Sequence, residues 1–264
     1  MTPSVWAEGD LYEPFIGRWS REVGRRFVDG LEAPPGASWV DVGCGTGALT
    51  ATILDRAQPA SVAGVEPAPG FLDFARSHCR DPRASFAGGD AQAIPLPDGS
   101  ADLVVSGLVL NFVPDPVRAL GEMRRVARPG ARIAAYVWDY AGEMQLIRTF
   151  WDAAAELDPD AARLDEGVRF PICAPAALAQ LFKEAGLSGV ETGAIVVPTI
   201  FRDFDDYWNP FLGGQGPAPG YAVTLPADRL QTLRELLRSR LPRSEDGSIA
   251  LSARAWTASG MSVA

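Results

Sequence analysis

Three glycines at alternate positions, Gly43, Gly45 and Gly47, follow one apolar segment and precede another. Glycine accepts backbone angles that other residues disfavour, and it lets a ligand approach the main chain closely. An acidic residue, Asp41, stands two positions before the first glycine. The pattern predicts a buried strand that ends in a ligand-binding turn and continues directly into a helix.

Two further acids stand where later strands are predicted to end. Glu66 closes the apolar segment 61–66, and Asp90 follows the segment 83–88 with Ala91 beside it. The carboxyl ends of parallel strands meet at one edge of a sheet, where ligands of α/β proteins bind. The three acids and the glycine turn therefore indicate a site for a nucleoside-like ligand.

The glycine turn has two interpretations. Residues 43–48 satisfy the G-x-G-x-x-G/A fingerprint of dinucleotide binding. A carboxylate at the mouth of the turn, however, suits a ligand with an amino group better than a doubly charged pyrophosphate. The fingerprint also requires no acid at the position of Asp90. The residues favour a ligand other than a dinucleotide, and the dinucleotide stays the alternative.

The segment Asp41–Gly47 resembles the first motif of the class I S-adenosylmethionine-dependent methyltransferases. The other stretches that resemble motifs of this family, in family order and spacing, are 62–67, 89–100, 101–106 and 128–130. The resemblance covers residues 10–140 well, and 175–200 and 248–258 more loosely. Within the family, the chain resembles the small-molecule methyltransferases and is similar to the quinone-biosynthesis methyltransferase-like group.

This resemblance implies S-adenosylmethionine as the cofactor and S-adenosylhomocysteine as the product. The three glycines are expected to face the methionine and ribose, Glu66 to accept both ribose hydroxyls, and Asp90 to accept the adenine amino group. The predicted cofactor-binding residues are Asp41, Gly43, Cys44, Gly45, Gly47, Glu66, Pro67, Asp90, Ala91, Ser106, Gly107, Tyr12 and Arg18.

Some of these residues have more particular predicted roles. Asp41 is expected to order the turn and to sense the methionine ammonium through water. Backbone carbonyls of Ser106 and Gly107 are expected to approach the same ammonium. In similar enzymes an N-terminal aromatic residue or arginine covers the cofactor carboxylate, which makes Tyr12 and Arg18 candidates. A guanidinium grips a carboxylate with two hydrogen bonds.

The predicted fold is an α/β, Rossmann-like, doubly wound sheet with an inserted cap. Alternating strands and helices favour a mostly parallel sheet, and the resemblance adds a reversed strand to make seven. The predicted strands are 38–43, 61–66, 83–88, 102–107, 131–138, 188–198 and 248–257. We expect a single methyltransferase domain over 1–264, with its core at 33–139, 175–201 and 247–258, an N-terminal helical segment at 10–32, and cap inserts at 140–174 and 202–246.

Composition limits the remaining classes. A formal net charge of −9 and the lack of a dense Lys/Arg tract disfavour nucleic-acid binding. Three scattered cysteines and one histidine disfavour a metal site, so none is predicted. No secretory signal and no apolar run long enough to cross a bilayer are visible, and we expect a cytoplasmic protein. The oligomeric state stays open.

No general base is evident, so the catalytic residues are unknown from sequence. Candidates are Asp139, Asn111 and Tyr207, although Asn111 stands where relatives often carry histidine, and a neutral amide cannot act as a base. The inserts are rich in aromatic rings, for which core packing is the ordinary expectation. Arg169 and Arg202 are candidates for holding an anionic substrate group, with surface placement the simpler alternative.

The predicted reaction is in-line displacement by an acceptor on the sulfonium methyl. Alignment of the reacting atoms at ~3–3.5 Å can supply about 7–11 kcal/mol. The acceptor is expected to be a small molecule, with O-, N-, S- and C-methylation all open. One alternative is a protein that binds S-adenosylmethionine without methyl transfer. An NAD-dependent oxidoreductase is disfavoured, because the only lysine, Lys183, has Ala179 and not tyrosine four positions earlier.

Overall fold

The structure is a computed structural model that describes residues 16–214 and 216–263, so the predicted site residue Tyr12 lies outside the described residues. Seven strands form one sheet in the order β3-β2-β1-β4-β5-β7-β6. The strands are β1 Ser38–Val42, β2 Ser61–Glu66, β3 Ala84–Gly88, β4 Ala101–Gly107, β5 Ala127–Trp138, β6 Ser188–Phe201 and β7 Ile249–Met261.

Ten α-helices alternate with these strands or fill the inserts of the described chain. They are α1 Arg18–Gly30, α2 Ala48–Arg56, α3 Pro69–His78, α4 Pro116–Val126, α5 Gln145–Leu157, α6 Glu166–Arg169, α7 Pro175–Glu184, α8 Phe204–Trp208, α9 Pro217–Ala222 and α10 Ala227–Arg240. Short 3-10 turns lie at Leu110–Phe112, Pro159–Arg163 and Asn209–Gly213.

The strand directions agree with the predicted fold. The pairs β1–β2, β1–β4, β2–β3 and β4–β5 are parallel. Between β5 and β7 the residue numbers run in opposite directions, since the amide of Gly130 donates to Ser262 and that of Asp139 donates to Arg254. The mostly parallel, seven-stranded sheet with one reversed strand is confirmed.

The central strands are apolar on both faces. Buried side chains of the three inner parallel strands include Val40, Val42, Val62, Val65, Leu103, Val104 and Val105. Continuous apolar runs of this kind are typical of parallel strands covered by helices on both sides of the sheet. The strand β5 begins earlier than the predicted 131–138, because Ala127 already pairs with Ala101 of β4.

The helix α1 is amphipathic. Its side chains Val23 and Phe27, together with Leu31 just after its end, are buried. The ring of Phe27 lies 4.6 Å from that of Tyr136 on β5, centroid to centroid. Residues three and four positions apart share one helix face, and here that face packs on the sheet.

The chain divides into two compact units. The core unit contains, among the described residues, 20–137, 172–195 and 255–263. The insert unit contains 16–19, 138–171 and 196–254 except residue 215. The predicted role of 140–174 and 202–246 as a cap over a substrate stays a prediction.

Aromatic side chains form the interior of the insert unit. The rings of Phe150 and Phe211 stack with centroids 4.5 Å apart, and Tyr207 lies 5.4 Å from Phe211. Phe150, Trp151, Tyr207 and Phe211 are all buried. Most of the rings in the inserts therefore pack a core, as large aromatic side chains ordinarily do.

One carboxyl group is buried inside this unit. Glu166 is 3% exposed and accepts a hydrogen bond from the indole N–H of Trp151. Burial disfavours the ionised form and raises the pKa of Glu166 to about 7. The neighbouring Asp165 differs, because Arg148 donates two hydrogen bonds to its carboxylate at 3.1 and 2.6 Å.

We predict that Glu166→Gln stabilises the fold at neutral and higher pH. The folded-state pKa of Glu166, about 7, lies above the ordinary glutamate value of 4.5, so its ionisation lowers stability as pH rises from about 4.5 through 7. Glutamine keeps an acceptor for Trp151 without a charge. The gain in free energy of unfolding should approach ~3 kcal/mol above pH 7 and vanish near pH 4.5. Denaturant unfolding at several pH values measures it.

The exposed Glu235→Gln substitution in the same unit serves as the control and should show no such pH-dependent gain. Equal pH profiles for wild type and Glu166→Gln would show that the carboxyl group is not held in its neutral form by burial.

Candidate functional site

The turn between β1 and α2 depends on glycine at each alternate position. Gly43, Gly45 and Gly47 have φ of 75°, 53° and 85°, in the left-handed region that favours glycine. A Cβ on Gly43 would lie 2.6 Å from side-chain carbons of Val109, whereas a Cβ on Gly45 would meet nothing within 4 Å. Gly43 is thus required for packing, and Gly45 presents open backbone.

Glu66 joins the end of β2 to this turn. Its carboxylate accepts a hydrogen bond from the amide of Gly45 at 3.0 Å and one from the amide of Ala68 at 3.0 Å. The residue is 7% exposed, and burial raises the pKa of its carboxyl group, while the two amide donors act in the opposite direction. Glu66, the predicted strand-end acid, therefore also stabilises the conformation of the glycine turn.

Asp41 lies almost fully buried in β1, at 1% exposure. The hydroxyl of Thr50 on α2 donates to its carboxylate at 2.7 Å. Burial raises the pKa of Asp41 to about 7, and the negative charge of Glu66 adds to the effect. The bond across the turn supports the predicted role of Asp41 in ordering it, and Thr50 is a partner that sequence reasoning missed.

The side chain of Cys44 points into the interior of the core unit. Its thiol is buried against β2, where a Cβ on Gly64 would lie 2.8 Å from the sulfur. Burial, with the nearby charges of Asp41 and Glu66, raises the pKa of the thiol far above its usual range. Cys44 is thus a packing residue, and what it offers a ligand is backbone.

Asp90 and Ala91 follow directly from the end of β3. The amide of Gly89 donates to the carbonyl of Glu66 at 3.2 Å, which brings the ends of β2 and β3 together. The carboxylate of Asp90 is exposed and accepts from the amide of Gln92 at 2.8 Å. This bond closes an Asx turn that fixes the direction of the loop.

A clamp from α4, formed by Glu122 and Arg125, holds the rest of this loop. The carboxylate of Glu122 accepts from the amide of Ile94 at 2.9 Å. The guanidinium of Arg125 donates to the carbonyls of Ile94 and Leu96 at 2.8 and 2.9 Å, and it pairs with Glu122 at 2.7 Å. The sequence analysis did not predict this clamp.

The end of β4 has one hydroxyl group, that of Ser106, and this group already has a hydrogen-bond partner. The buried side chain of Ser106 donates to the carbonyl of Val42 on β1 at 2.9 Å. A Cβ on Gly107 would lie 2.6 Å from the hydroxyl oxygen of Tyr136. The next residue, Leu108, has φ of 62°, a conformation that costs energy in a residue with a branched side chain.

Asn111 lies in the short 3-10 turn that follows β4. It is 9% exposed, and its side-chain Nδ2 has no hydrogen-bond partner within the described residues. Leaving a buried donor unpaired costs about 1–3 kcal/mol. The group is therefore suited to donate to a bound molecule, although it cannot remove a proton from one.

The other two catalytic candidates have structural partners within the insert unit. The carboxylate of Asp139 accepts from the amide of Glu143 at 2.7 Å and from Arg254 at 3.0 and 2.7 Å. The buried hydroxyl of Tyr207 donates to the carbonyl of Leu146 at 3.1 Å, and burial raises its pKa far above the usual range. Neither environment favours a general base.

Arg18 also belongs to the insert unit, where its Nη1 donates to Asp206 at 3.2 Å. Its predicted contact with the cofactor carboxylate stays a prediction. In residues 16–214 and 216–263 there is no group of three or more His, Cys, Asp or Glu that could hold a metal ion. No helix in those ranges is long and apolar enough to span a bilayer.

Known proteins resemble this chain in both sequence and fold. Residues 40–135 match the methyltransferase domain family. A malonyl-acyl-carrier-protein O-methyltransferase of Serratia marcescens is 34% identical over half of this chain and 49% of its own length. A trans-aconitate 2-methyltransferase of Deinococcus radiodurans is 29% identical over 69% and 74%. A 2-methyl-6-phytyl-1,4-hydroquinone methyltransferase of Synechocystis is 29% identical over 69% and 57%.

Solved structures share the architecture at low sequence identity. The YcgJ protein of Bacillus subtilis superposes with a TM-score of 0.62 at 17% identity, covering 94% of this chain and 99% of that one. The 4+2 cyclase SpnF gives a TM-score of 0.54 at 18% identity, covering 91% and 81%. These likenesses concern the fold alone.

The sheet, the glycine turn, the strand-end acids and the match of residues 40–135 to the methyltransferase domain family are together similar to the class I S-adenosylmethionine-dependent methyltransferases. The resemblance drawn from the sequence is confirmed, and S-adenosylmethionine is the cofactor of this class. Several relatives, among them the Serratia and two other malonyl-acyl-carrier-protein enzymes, are matched over only about half of their own length. The quinone-type subgroup is supported in part, by the hydroquinone methyltransferase.

We predict that Arg125→Lys loosens the loop at 92–98 while the fold persists. An ammonium cannot make the forked contacts that the guanidinium makes with two carbonyls and Glu122. Loss of one charge-assisted bond is worth about 1.5–3 kcal/mol, so amide exchange at Ile94 should quicken roughly ten- to a hundredfold. Hydrogen-exchange mass spectrometry measures this rate.

The control is Arg124→Lys on the same helix, since Arg124 donates to the carbonyl of Ala185 and not to the loop. Similar exchange at 92–98 in both variants would contradict the role of Glu122 and Arg125 as a clamp.

Proposed function

We propose that the protein transfers a methyl group from S-adenosylmethionine to a small-molecule acceptor by in-line displacement. The observation that carries the proposal is the bond between Glu66 and the amide of Gly45 at 3.0 Å. It places a strand-end carboxylate beside open glycine backbone, and Asp90 follows from the adjoining strand. This arrangement suits one ligand with a ribose, an adenine and an amino acid part.

The charge of the turn supports this cofactor over NAD. Two buried carboxyl groups, those of Asp41 and Glu66, act on each other electrostatically beside the turn. A sulfonium and an ammonium are attracted by such acids, whereas the pyrophosphate of NAD is repelled. The same acids would lose their raised pKa values as a cationic ligand approached, because an opposite charge favours the ionised form.

The proposed cofactor contacts are those predicted from the sequence. Glu66 holds the ribose hydroxyls, Asp90 and the Ala91 backbone meet the adenine, and the turn faces the methionine part. The side chains of Cys44 and Ser106 have other partners. These two residues, with Pro67 and Gly107, are therefore proposed to contribute main-chain atoms only.

The reaction needs alignment more than proton transfer. The sulfonium is a good leaving group, and exclusion of water with correct orientation supplies much of the barrier reduction. Asp139 and Tyr207 are committed to other bonds, so we propose that no side chain acts as a strong base. An acceptor atom that is already ionised at neutral pH, such as a carboxylate oxygen, fits this site.

The relatives support a small acidic acceptor. Two of them act, by name, on a malonyl group and on trans-aconitate, both of which carry carboxylates. With a net charge of −9, a nucleic-acid partner is not proposed. We propose a cytoplasmic location, because the cysteines Cys44, Cys79 and Cys173 are all free thiols.

A second candidate function is binding of S-adenosylmethionine without methyl transfer. The resemblance to the 4+2 cyclase SpnF supports this candidate. That protein shares the fold but is named for a reaction other than methyl transfer. Incubation with methyl-labelled S-adenosylmethionine and a panel of small carboxylic acids, thiols, amines and phenols separates the two functions. Labelled product supports the enzyme; tight cofactor binding with no product from any acceptor supports the binder.

We predict that Gly45→Ala abolishes cofactor binding without unfolding the protein. Its added Cβ meets no protein atom within 4 Å but stands on the open face of the turn. Affinity for S-adenosylhomocysteine, measured by titration calorimetry, should fall at least a hundredfold. NAD should bind neither the wild type nor the variant.

The matched control is Gly36→Ala. Gly36 also has positive φ, at 80°, and also has nothing within 4 Å of an added Cβ. The backbone strain that alanine introduces is therefore similar at both positions. Because Gly36 precedes β1, at the opposite end of the strand from the turn, the affinity for S-adenosylhomocysteine should stay within twofold. Equal losses, or full affinity in Gly45→Ala, would contradict the proposed site.

We further predict that Asn111→Ala lowers kcat/KM for the acceptor at least tenfold, because the buried Nδ2 no longer donates to the bound acceptor. Affinity for S-adenosylhomocysteine should remain within twofold. Steady-state kinetics with an acceptor found in the panel, combined with calorimetry, test this. A loss confined to cofactor affinity would instead assign Asn111 to the cofactor.

A further inference from the structure

The guanidinium of Arg18 is held in a fixed orientation within the insert unit. Its central carbon lies 4.2 Å from the ring centroid of Trp19 and 5.0 Å from that of Phe201. Its Nη1 donates to both oxygens of Asp206, at 3.4 and 3.2 Å. Stacking on rings and pairing at one end leave the opposite edge of the guanidinium pointing in a defined direction.

The opposite edge has no hydrogen-bond partner among residues 16–214 and 216–263. The Nε and Nη2 atoms of Arg18 are buried, and within those residues neither makes a hydrogen bond. In Arg56 the same edge binds Asp29 at 2.9 and 2.7 Å, and in Arg254 it binds Asp139 at 3.0 and 2.7 Å. This two-nitrogen edge matches a carboxylate in spacing and charge.

A second unpaired polar group lies on β6, the strand that carries Phe201. Thr199 and Phe201 are buried residues on the same face of β6, because side chains two positions apart point the same way. The hydroxyl of Thr199 has no hydrogen-bond partner in the part of the chain that the structure describes. A buried donor without a partner costs free energy. Arg18 stacks on Phe201, and Thr199 lies two positions before it on β6, so both unpaired groups are suited to bind one ligand.

The other arginines considered for an anionic substrate are less suited. The side chain of Arg202 is 85% exposed and reaches Asp206 only at 3.8 Å. Arg169 is also exposed, with its guanidinium over the ring of Phe170 at 5.5 Å. An exposed, flexible guanidinium loses most of its pairing energy to water and side-chain entropy. Arg18 is oriented and partly buried, at 34% side-chain exposure.

We propose that Arg18, with the hydroxyl of Thr199, binds a carboxylate of the methyl acceptor. The inference rests on the proposed function and adds a substrate class to it. Arg18 and the residues that hold it belong to the insert unit, whereas the glycine turn, Glu66 and Asp90 belong to the core unit. We assign the unpaired edge to the acceptor, and the calorimetric test distinguishes this assignment from binding of the methionine carboxylate of the cofactor.

The geometry also restricts which group of the acceptor reacts. A carboxylate held by Nε and Nη2 has both oxygens engaged in charge-assisted bonds, which lowers their nucleophilicity. The bound carboxylate therefore orients the acceptor, and another group receives the methyl. This assigns an acceptor with a carboxylate and a second nucleophile, such as a small dicarboxylic acid.

The test uses the full chain saturated with S-adenosylhomocysteine. Malonate, succinate and trans-aconitate are titrated by calorimetry, with malonamide and succinamide as uncharged counterparts. We expect at least one acid to bind the wild type, and the diamides to bind at least tenfold more weakly. In Arg18→Gln the acid should bind ten- to a hundredfold more weakly, while affinity for S-adenosylhomocysteine stays within twofold.

Two further variants make the result specific. Arg202→Gln removes a guanidinium from the same Asp206 and should leave acid affinity within twofold. Thr199→Val, which is close in shape, should weaken acid binding severalfold and keeps the test informative if Arg18→Gln fails to fold. The Nε–H resonance of Arg18, identified by its loss in Arg18→Gln, should shift when the acid is added.

Three results would overturn the inference: no acid binding to the wild type, equal binding of acids and diamides, or a loss in Arg18→Gln confined to S-adenosylhomocysteine. The last result would return Arg18 to the cofactor carboxylate. Failure of the proposed function is a separate outcome, because it would show as no affinity of the wild type for S-adenosylhomocysteine, measured before any acid is added.

Discussion

The carboxylate of Glu66 is the contact on which the candidate site depends. It receives the amide of Gly45 on one oxygen and that of Ala68 on the other. The carbonyl of the same residue accepts from Gly89, so one strand end fixes the glycine turn and the start of the loop with Asp90. A short chain segment thereby determines where three separate parts of the sequence meet.

Buried acids give this site its chemical preference. Asp41 and Glu66 are both withdrawn from water, and burial raises the pKa of each. Such groups are poorly stabilised alone, and a cationic ligand improves their environment. The fold therefore carries a local electrostatic cost, which the bond from Thr50 and the amides around Glu66 only partly offset. That balance favours a cationic ligand over an anionic one.

The insert unit uses the same physical rule in a different way. Asp139, Tyr207 and Asp165 have their hydrogen bonds satisfied inside the unit, so they stabilise it. Arg18, by contrast, has one edge paired and one buried edge without a hydrogen-bond partner among the described residues. Polar residues of one unit thus differ in whether their atoms have hydrogen-bond partners, and residue type alone does not reveal this difference.

The sequence by itself determined the sheet, the glycine turn and the strand-end acids, because these follow from local spacing and from motifs within short segments. It also indicated the reversed strand, through the family resemblance. Only the tertiary structure decided that Arg125 and Glu122 hold the loop after Asp90, and that Asp139 and Tyr207 have hydrogen-bond partners. It also decided that donors of Asn111 and Arg18 have no such partners among the described residues. The physical reason is that satisfaction of a polar atom depends on partners from distant segments: Arg18 meets Asp206, and Asp139 meets Arg254, only after the chain has folded. Residue spacing carries no record of such partners, whereas it does carry the backbone angles that glycine permits and the alternation that buries a strand.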